Sequence, residues 1–423
     1  MFEVIVNSNE LSKALDYLEP AVDDKTGSIY LESTDIGECI LYSENKECAI
    51  SISLICANPT QKGMSDNVDY KVFKKVINSL KDKENLTIHQ DDNSNEISIL
   101  YEMGVKPIKL NTISLPPLTK NPLATTVCPA DAPTFNTYSF CCALKSCTDL
   151  IDLQSAPSVM DCCDFKVSQY HGIMNVINTK KAIGCSKEVS TATVQSTNKE
   201  EFIMNLRPLK KVTSLFSSFK ETRLYQDANG ICICSGDTKV VGKDGIEKLV
   251  NVSEIKVILH KFSSNYPTNV FYNVKYSSSM CMTDLDKFNN SLDRIIALSD
   301  NQNKDVLLEA DGENITMSIA STHGIIEDKI QLKLGTNTPF KGLFEVNTLK
   351  SVANANKPFE DTPFSQQLYI APSNKSDSIF VIGSDTAQKS CSFITSKAMA
   401  TQTQLDTVEE TSEEEKQEES AEE

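Results

Sequence analysis

The chain has 423 residues and a net charge of −17, so it is too long for one hydrophobic core and fits two to four domains. No apolar run reaches about 18 residues, and the N-terminal MFEVIVNSNE has no basic region before an apolar stretch, so we expect neither a membrane span nor a secretory signal. Fourteen cysteines without a CxxC spacing and only four histidines predict buried thiols in a reducing compartment, and no metal site.

A strand, FEVIV, opens the chain, and an amphipathic helix is predicted at residues 9–22. A second strand runs into a turn at Thr34, and β-rich segments such as ECAISISLIC follow it. Apolar residues then recur at helical spacing over residues 70–83, which predicts a second helix containing the tetrapeptide FKKV at 73–76. This part therefore predicts a strand, a helix, strands, a second helix and further strands.

The same order follows in the middle of the chain. The stretch PTFNT precedes a helix predicted at 138–153, and a strand running into a turn at Thr179 comes next. A helix predicted at 206–223 carries the tetrapeptide LKKV at 209–212.

The last third repeats the order once more. The stretch NVFYNVKY is predicted as the strand before a helix at 283–299, and Asp-Gly at 311–312 predicts a hairpin turn. A strand then reaches a turn at Thr322, and a helix predicted at 347–357 carries LKSV at 349–352.

The three tetrapeptides lie 136 and 140 residues apart, and the three threonines lie 145 and 143 residues apart. Even spacing in a fixed order indicates tandem copies of one domain. Each copy is predicted to be an α+β unit of two similar halves with one helix apiece. We place the copies at residues 1–128, 129–266 and 267–400, with a disordered acidic tail at 401–423.

Charge is unevenly distributed along this pattern. The three helices with the tetrapeptides sum to +10 and the other three to −4, so the six helices carry +6 while the rest of the chain carries −23. A shared surface of basic helices would attract phosphate without reading sequence. The alternative is that these lysines lie on solvated helix faces and bind nothing.

Several stretches resemble one known family, the bacterial-type DNA polymerase sliding clamp, or β clamp. SNELSKALDYL is similar to its opening helix, and LESTDIGECI to its first strand, turn and following strand. VDYKVFKKVINSLKDKENLTI and IKLNTISLPPL resemble its second helix and the end of its first domain, and FEVNTLKSVANA resembles a segment of its third domain. The resemblance covers about residues 1–400 in order and spacing.

The resemblance implies a fold of three tandem DNA-clamp domains, each with two β-α-β halves. Two such chains would form a homodimeric ring, with helices lining a central hole and antiparallel sheets outside. The function implied is that of a processivity factor, the DNA polymerase III beta subunit, which encircles double-stranded DNA. It would tether a polymerase and a clamp loader through short peptide motifs, without catalysis and without a cofactor.

The resemblance also implies three sets of site residues. The DNA-binding set comprises Lys71, Lys74, Lys75, Arg207, Lys210, Lys211, Lys220, Arg223 and Lys350. The set predicted to line a peptide pocket comprises Val167, Thr179, Lys180, Ala182, Pro267, Val270, Phe393, Ile394 and Ser396. The set predicted at the dimer interface comprises Ile108, Leu110, Ala297 and Leu298. An alternative for Phe393 and Ile394 is an ordinary core strand.

Two departures from the family are expected to matter. The interval from the first helix to the threonine turn is short in copy one, where only DDKTG replaces an expected strand and basic loop, leaving Lys25 as its one candidate DNA contact. The acidic tail is the second departure. Both are typical of a divergent member, such as one encoded by a phage. We expect a cytoplasmic location, or the host cytoplasm or nucleoid for a phage protein.

Two other classes of function were weighed. An enzyme is disfavoured because the sequence has no phosphate-cradling glycine loop, no Gly-x-Ser-x-Gly and no HExxH. A non-enzymatic repeat scaffold that binds only proteins through its sheets stays open, although such a scaffold does not need basic helices.

Overall fold

The computed structural model describes the chain in fourteen stretches. They are residues 2–113, 128–151, 159–192, 200–216, 219–236, 239–241, 247–249, 252–259, 266, 274–298, 304–321, 324–357, 366–384 and 390–398, apart from positions 26, 59, 93, 103, 130, 169, 227 and 229. Thr322 and the acidic tail, which the sequence analysis discussed, lie outside these residues.

Six α-helices form where the sequence predicts six. They are α1 (Ser8–Leu18), α2 (Tyr70–Ser79), α3 (Thr137–Leu150), α4 (Leu206–Phe216), α5 (Leu285–Leu298) and α6 (Val346–Asn354). Two short 3-10 helices lie at Glu19–Ala21 and Val159–Asp161.

The chain divides into two compact units, Met1–Ile177 with Ser186–Thr268, and Asn178–Cys185 with Asn269–Glu423. This division neither supports nor contradicts the three predicted domain boundaries, which stay a prediction.

The first unit contains a large mixed-length antiparallel sheet. Its strands are β1 (Phe2–Asn7), β2 (Ser28–Ser33), β3 (Glu38–Glu44), β4 (Cys48–Ile55), β5 (Gly63–Met64), β6 (Asn67–Asp69), β7 (Asn85–Gln90), β8 (Glu96–Leu100), β9 (Ile108–Ile113), β10 (Thr134–Asn136), β15 (Glu221–Gln226), β16 (Ile231–Gly236) and β19 (Val252–Leu259). Their order is β1-β7-β8-β9-β6-β2-β3-β4-β19-β16-β15-β10, with β5 beside β2. Because β4 pairs with β19, the sheet runs without a break from copy one into copy two.

A second sheet of this unit holds strands in the order β14-β11-β12-β13. These strands are β11 (Cys162–Val167), β12 (His171–Asn178), β13 (Ile183–Ser190) and β14 (Glu200–Asn205). Strands β17 (Lys239–Val241) and β18 (Glu247–Leu249) pair separately. The core beside the helices is aromatic: the rings of Phe135 and Phe165 lie 5.1 Å apart, and those of Phe140 and Phe216 lie 6.4 Å apart. Their contact fixes α3 and α4 against the sheet.

The second unit contains two four-stranded antiparallel arrays. One has the order β23-β22-β21-β24 and the other the order β27-β26-β25-β20. The strands are β20 (Cys281–Asp284), β21 (Asp305–Ala310), β22 (Asn314–Ser321), β23 (Gly324–Gln331), β24 (Phe340–Glu345), β25 (Gln367–Pro372), β26 (Ile379–Gly383) and β27 (Ser390–Thr395). The predicted hairpin turn at Asp311-Gly312 is confirmed between β21 and β22, and Gly312 has a φ of 101° that favours glycine.

Copy one lacks the strand that copies two and three place after their first helix. Strands β11 and β21 occupy that position in the later copies. Among the described residues between Glu19 and Gly27, copy one has only a 3-10 helix and a turn. The shortened first copy therefore reflects the loss of one strand, as the spacing of its residues predicts.

Three helix predictions were too long at their C-terminal ends. The predicted helices 70–83, 206–223 and 347–357 end in the structure at Ser79, Phe216 and Asn354. In the second case, the backbone of 221–223 instead pairs with β10. Ladder hydrogen bonds to a distant strand therefore overrode the local helical pattern.

The predicted strand NVFYNVKY was also wrong where the structure describes it. Residues 274–276 contribute only an isolated bridge from Tyr276 to Ser373, and the strand that precedes α5 is β20. Strand β20 has a full antiparallel partner in β25, which explains why the regular pairing lies there.

Candidate functional site

All six helices begin after a side chain that accepts hydrogen bonds from the first turn. These capping residues are Asn7, Asp69, Asn136, Asn205, Asp284 and Glu345. A capping carbonyl or carboxylate oxygen satisfies backbone N–H groups that the helix itself leaves open. Each helix start is thus set by a local residue, and equivalent positions in the three copies can be counted from it.

The exposed face of α2 carries two lysines. Lys71 and Lys75 lie one turn apart and are exposed, while Phe73 and Ile77 on the same helix are buried. Neither lysine forms an ion pair with any part of the chain that the structure describes. Two free ammonium groups at i, i+4 spacing make a small phosphate-attracting surface.

Lys74, between them in sequence, is engaged by the neighbouring helix region. Its Nζ lies 3.0 Å from both Asp16 and Glu19 and 2.9 Å from the Tyr70 hydroxyl. Burial alone lowers the pKa of the Lys74 ammonium, but the hydrogen bonds with Tyr70, Glu19 and Asp16 outweigh it and hold the pKa above its ordinary value. This charge is therefore largely neutralised within the protein.

Helix α4 presents Lys210 and Lys211 on its exposed side, with Leu209 and Phe216 buried behind them. Within the described stretches, neither lysine forms an ion pair. These two residues have the exposure that a mobile contact with DNA phosphate requires.

Arg207, in the first turn of the same helix, is committed elsewhere. Its Nη2 lies 3.0 Å from a carboxylate oxygen of Asp161, and its Nε lies 3.8 Å from Glu47. Asp161 is almost fully buried, so the guanidinium compensates a carboxylate that water does not reach. Arg207 therefore ties α4 to the β3–β4 turn and to the start of β11.

Lys220 and Arg223 do not lie on a helix, which corrects their predicted placement. Lys220 follows the end of α4, and Arg223 lies in β15 opposite Thr134. Both side chains are exposed. Their assignment as DNA contacts stays a prediction, but they do not share the face of Lys210.

Lys350 on α6 forms an ion pair with Asp293 on α5 and is half-buried. It therefore resembles Lys74 in being paired to an acid of the neighbouring helix. The DNA-binding set thus separates into four exposed helix lysines, three paired cations and two residues outside the helices.

The predicted peptide pocket is only partly described. Pro267 and Val270 lie outside the described residues. Val167 lies in β11 of the first unit, while the other members lie in the second unit: Thr179, Lys180, Ala182, Phe393, Ile394 and Ser396.

Within the second unit, the structure brings the turn and the end of β27 together. The Ala182 carbonyl accepts a 3.1 Å hydrogen bond from the Thr395 amide, and Ala182 has a left-handed φ of 52°. Thr179 and Lys180 are exposed beside it, whereas Phe393 and Ile394 are 2% and 1% exposed. The two apolar side chains are thus core residues, as the alternative interpretation holds, and their role in a pocket stays untested.

The predicted interface residues lie in two places. Ile108 and Leu110 are in β9, whose residues 108–111 pair with β8 on one side only, as far as the described strands show. Ala297 and Leu298 end α5, and Leu298 is 62% exposed. An open strand edge and an exposed apolar side chain are features that a partner chain would cover.

The acidic partners of Lys74, Arg207 and Lys350 were not anticipated from the sequence. A signal for two of them exists: Asp16 and Asp293 are both the ninth residue of a capped first helix. Among the described residues, no group of three or more His, Cys, Asp or Glu side chains could hold a metal ion, and no helix is long and apolar enough to cross a membrane.

Comparison with known proteins gives a consistent fold. No family model matches the sequence, and no curated protein matches it either. Solved structures do match, each covering 94% of this chain and 100% of its own. They include a Helicobacter pylori beta clamp bound to a DNA ligase peptide (16% identity, TM-score 0.70), the DNA polymerase III subunit beta of Pseudomonas aeruginosa (11%, 0.72) and a Pseudomonas aeruginosa DNA polymerase sliding clamp with ligand (11%, 0.74). The chain therefore has the fold of the bacterial β clamp, as the resemblance implies.

Proposed function

We propose that this protein is a DNA sliding clamp, the processivity factor that encircles duplex DNA and holds a polymerase on it. The observation that carries this proposal is the likeness to β clamps over 94% of the chain and the full length of the clamps. Exposed lysines at corresponding places on α2 and α4 support it, since a ring needs only weak, sequence-independent phosphate contacts to slide.

The ring is proposed to be a head-to-tail homodimer. The open edge of β9 in one chain would meet the end of α5 and the neighbouring β23 of the other. Ile325 on β23 is 73% exposed and extends the apolar surface beside Leu298. Two such contacts related by a two-fold axis leave no free edge, which closes the assembly.

Partners are proposed to dock through short peptides, as the DNA ligase peptide does on the Helicobacter pylori clamp. A replicative polymerase and a clamp loader are the expected partners, and the protein would act as their accessory subunit rather than as an enzyme. The second candidate, a scaffold that binds only proteins, gains no support from the exposed helix lysines.

A topological trap tests the proposal without a clamp loader. The protein is mixed with a linear duplex whose ends are then joined by a ligase, and the DNA is washed at high salt. A sliding clamp stays on the ligated circle and is released when the circle is cut. Omitting the ligase provides the control. Equal retention on circle and linear DNA, or none on either, would contradict the proposed function.

A further inference from the structure

The helix pairs of copies one and three share an ion pair at equivalent positions. Counted from the capping residue, Asp16 and Asp293 are each ninth in the first helix, and Lys74 and Lys350 are each fifth in the second. Asp16 pairs with Lys74, and Asp293 pairs with Lys350. In both copies the first lysine of the repeated tetrapeptide is thus neutralised across the helix pair.

Copy two breaks this arrangement. The ninth residue of α3 is Lys145, and the fifth residue of α4 is Lys210. A lysine therefore stands where the other two copies place the acid. Two like charges cannot form the ion pair that ties the other helix pairs.

The helices of copy two nevertheless pack in the same register. In copy one, Ser12, fifth in α1, donates a 2.7 Å hydrogen bond to Asn78, ninth in α2. In copy two, Cys141, fifth in α3, lies 3.4 Å through its Sγ from the carbonyl oxygen of Thr213, eighth in α4. This shared antiparallel register places Lys145 opposite Lys210.

Neighbouring acids do not restore the missing pair. The second acid on Lys74 is Glu19, the twelfth residue in its copy, and Thr148 stands at that position in copy two. Asp149, one residue further, is 2.6 Å from Lys145 on its own helix. Lys210 has no ion-pair partner in the described part of the chain, and Lys211 beside it has none either.

We propose that the α3–α4 pair is the dominant phosphate-binding surface of the clamp. Its ligand is the sugar–phosphate backbone of duplex DNA, contacted by Lys145, Lys210 and Lys211. Lys74 and Lys350 instead hold their helix pairs together and contribute little to DNA binding. The inference rests on the proposed function and adds that the three copies contribute unequally: α3 and α4 together carry +3, against +2 for α1 with α2 and +1 for α5 with α6.

Salt dependence of binding separates these roles. Affinity for a short fluorescent duplex is measured by anisotropy over a series of salt concentrations, for wild type and for Lys210→Gln, Lys74→Gln and Lys350→Gln. Each lost phosphate contact lowers the slope of log K against log salt by about 0.9. We expect this loss for Lys210→Gln and an unchanged slope for the other two, whose unfolding midpoints should fall instead. Lys341→Gln, an exposed lysine on β24, is the matched control.

An exchange of the acid tests the cause directly. Lys145→Asp rebuilds the arrangement of copies one and three, so it should remove the charge of Lys145 and neutralise Lys210, lowering the slope by about 1.8. Asp293→Asn frees Lys350 and should raise the slope by about 0.9. If Lys145→Asp does not fold, Lys145→Gln combined with Lys210→Gln gives the same comparison.

The outcomes distinguish this inference from the function on which it rests. Wild-type protein that the ligated circle fails to trap would overturn the proposed function. Trapped wild type with equal slope losses for Lys74→Gln, Lys210→Gln and Lys350→Gln would leave the function standing and overturn the inequality of the copies.

Discussion

At the scale of single residues, cations close together in sequence have different roles. Arg207 and Lys210 lie one helical turn apart on α4, yet Arg207 is bound by Asp161 and Lys210 faces solvent. Side-chain exposure and pairing, rather than charge alone, therefore decide which residue can reach a DNA phosphate. The same distinction separates Lys74 from Lys75 on α2.

Arg207→Ala should destabilise the protein by about 2 kcal/mol, because it leaves the buried carboxylate of Asp161 without its cation. The measurement is the midpoint of urea unfolding. Lys211→Ala on the same helix is the control and should change the free energy of unfolding by less than about 0.5 kcal/mol. A stable Arg207→Ala protein with weakened DNA binding would restore Arg207 to the phosphate contacts.

The Glu345 carboxylate gives a pH-dependent contribution through its cap on α6. Burial alone raises the pKa of Glu345, but hydrogen bonds from Thr348 and Asn347 outweigh it and hold the pKa below its ordinary value. A lowered pKa in the folded state means that the stabilisation is present above the unfolded pKa of about 4.3 and is lost as the pH falls through the folded value.

Glu345→Gln should therefore unfold at a lower temperature than wild type at pH 7, and the difference should shrink as the pH falls below about 4. Thermal unfolding followed by circular dichroism over this pH range gives the comparison. Glu313→Gln, an exposed acid for comparison, should show no such trend. A difference that stays constant with pH would argue against the cap as its cause.

At the scale of secondary-structure elements, strand β27 presents two interpretations of the same residues. Phe393 and Ile394 are buried, and the strand pairs with β26 along its length. The adjacent hydrogen bond between Thr395 and Ala182 brings the exposed turn at Thr179 and Lys180 to the end of this strand. An element can therefore carry core side chains and still border a docking site.

Phe393→Ala should cost about 3 to 5 kcal/mol of stability, because it removes a large side chain from a packed core. Urea unfolding of the variant measures this loss. Lys180→Glu changes only the exposed turn and should leave stability unaltered. A Lys180→Glu protein that folds, forms the ring and fails to bind Leu- or Phe-anchored clamp-binding peptides would support the predicted pocket. Unchanged peptide binding would move the pocket elsewhere.

At the scale of the whole molecule, function depends on closing a ring from two chains. The open edge of β9 and the exposed Leu298 are the two surfaces that an isolated chain leaves uncovered in this proposal. Open strand edges promote unwanted pairing, so covering them also protects the chain from aggregation.

Leu298→Asp should convert the dimer into monomers at micromolar concentration, because it places a charge in a desolvated apolar contact. Light scattering coupled to gel filtration measures the mass. Ile36→Asp is the matched control, since Ile36 is an exposed apolar residue of a turn and is 77% exposed. A dimer that survives Leu298→Asp would show that the interface lies elsewhere.

The sequence alone determined the six helices, their order, and the presence of lysines on them, because helical periodicity and capping depend on residues close together in the chain. The shortened first copy was likewise visible as a spacing. The tertiary structure decided which cations are free: Lys74, Arg207 and Lys350 meet acids 55, 46 and 57 residues away in sequence. It also decided where helices end and that β4 pairs with β19. Such contacts depend on how distant elements pack, and a local pattern carries no information about that packing.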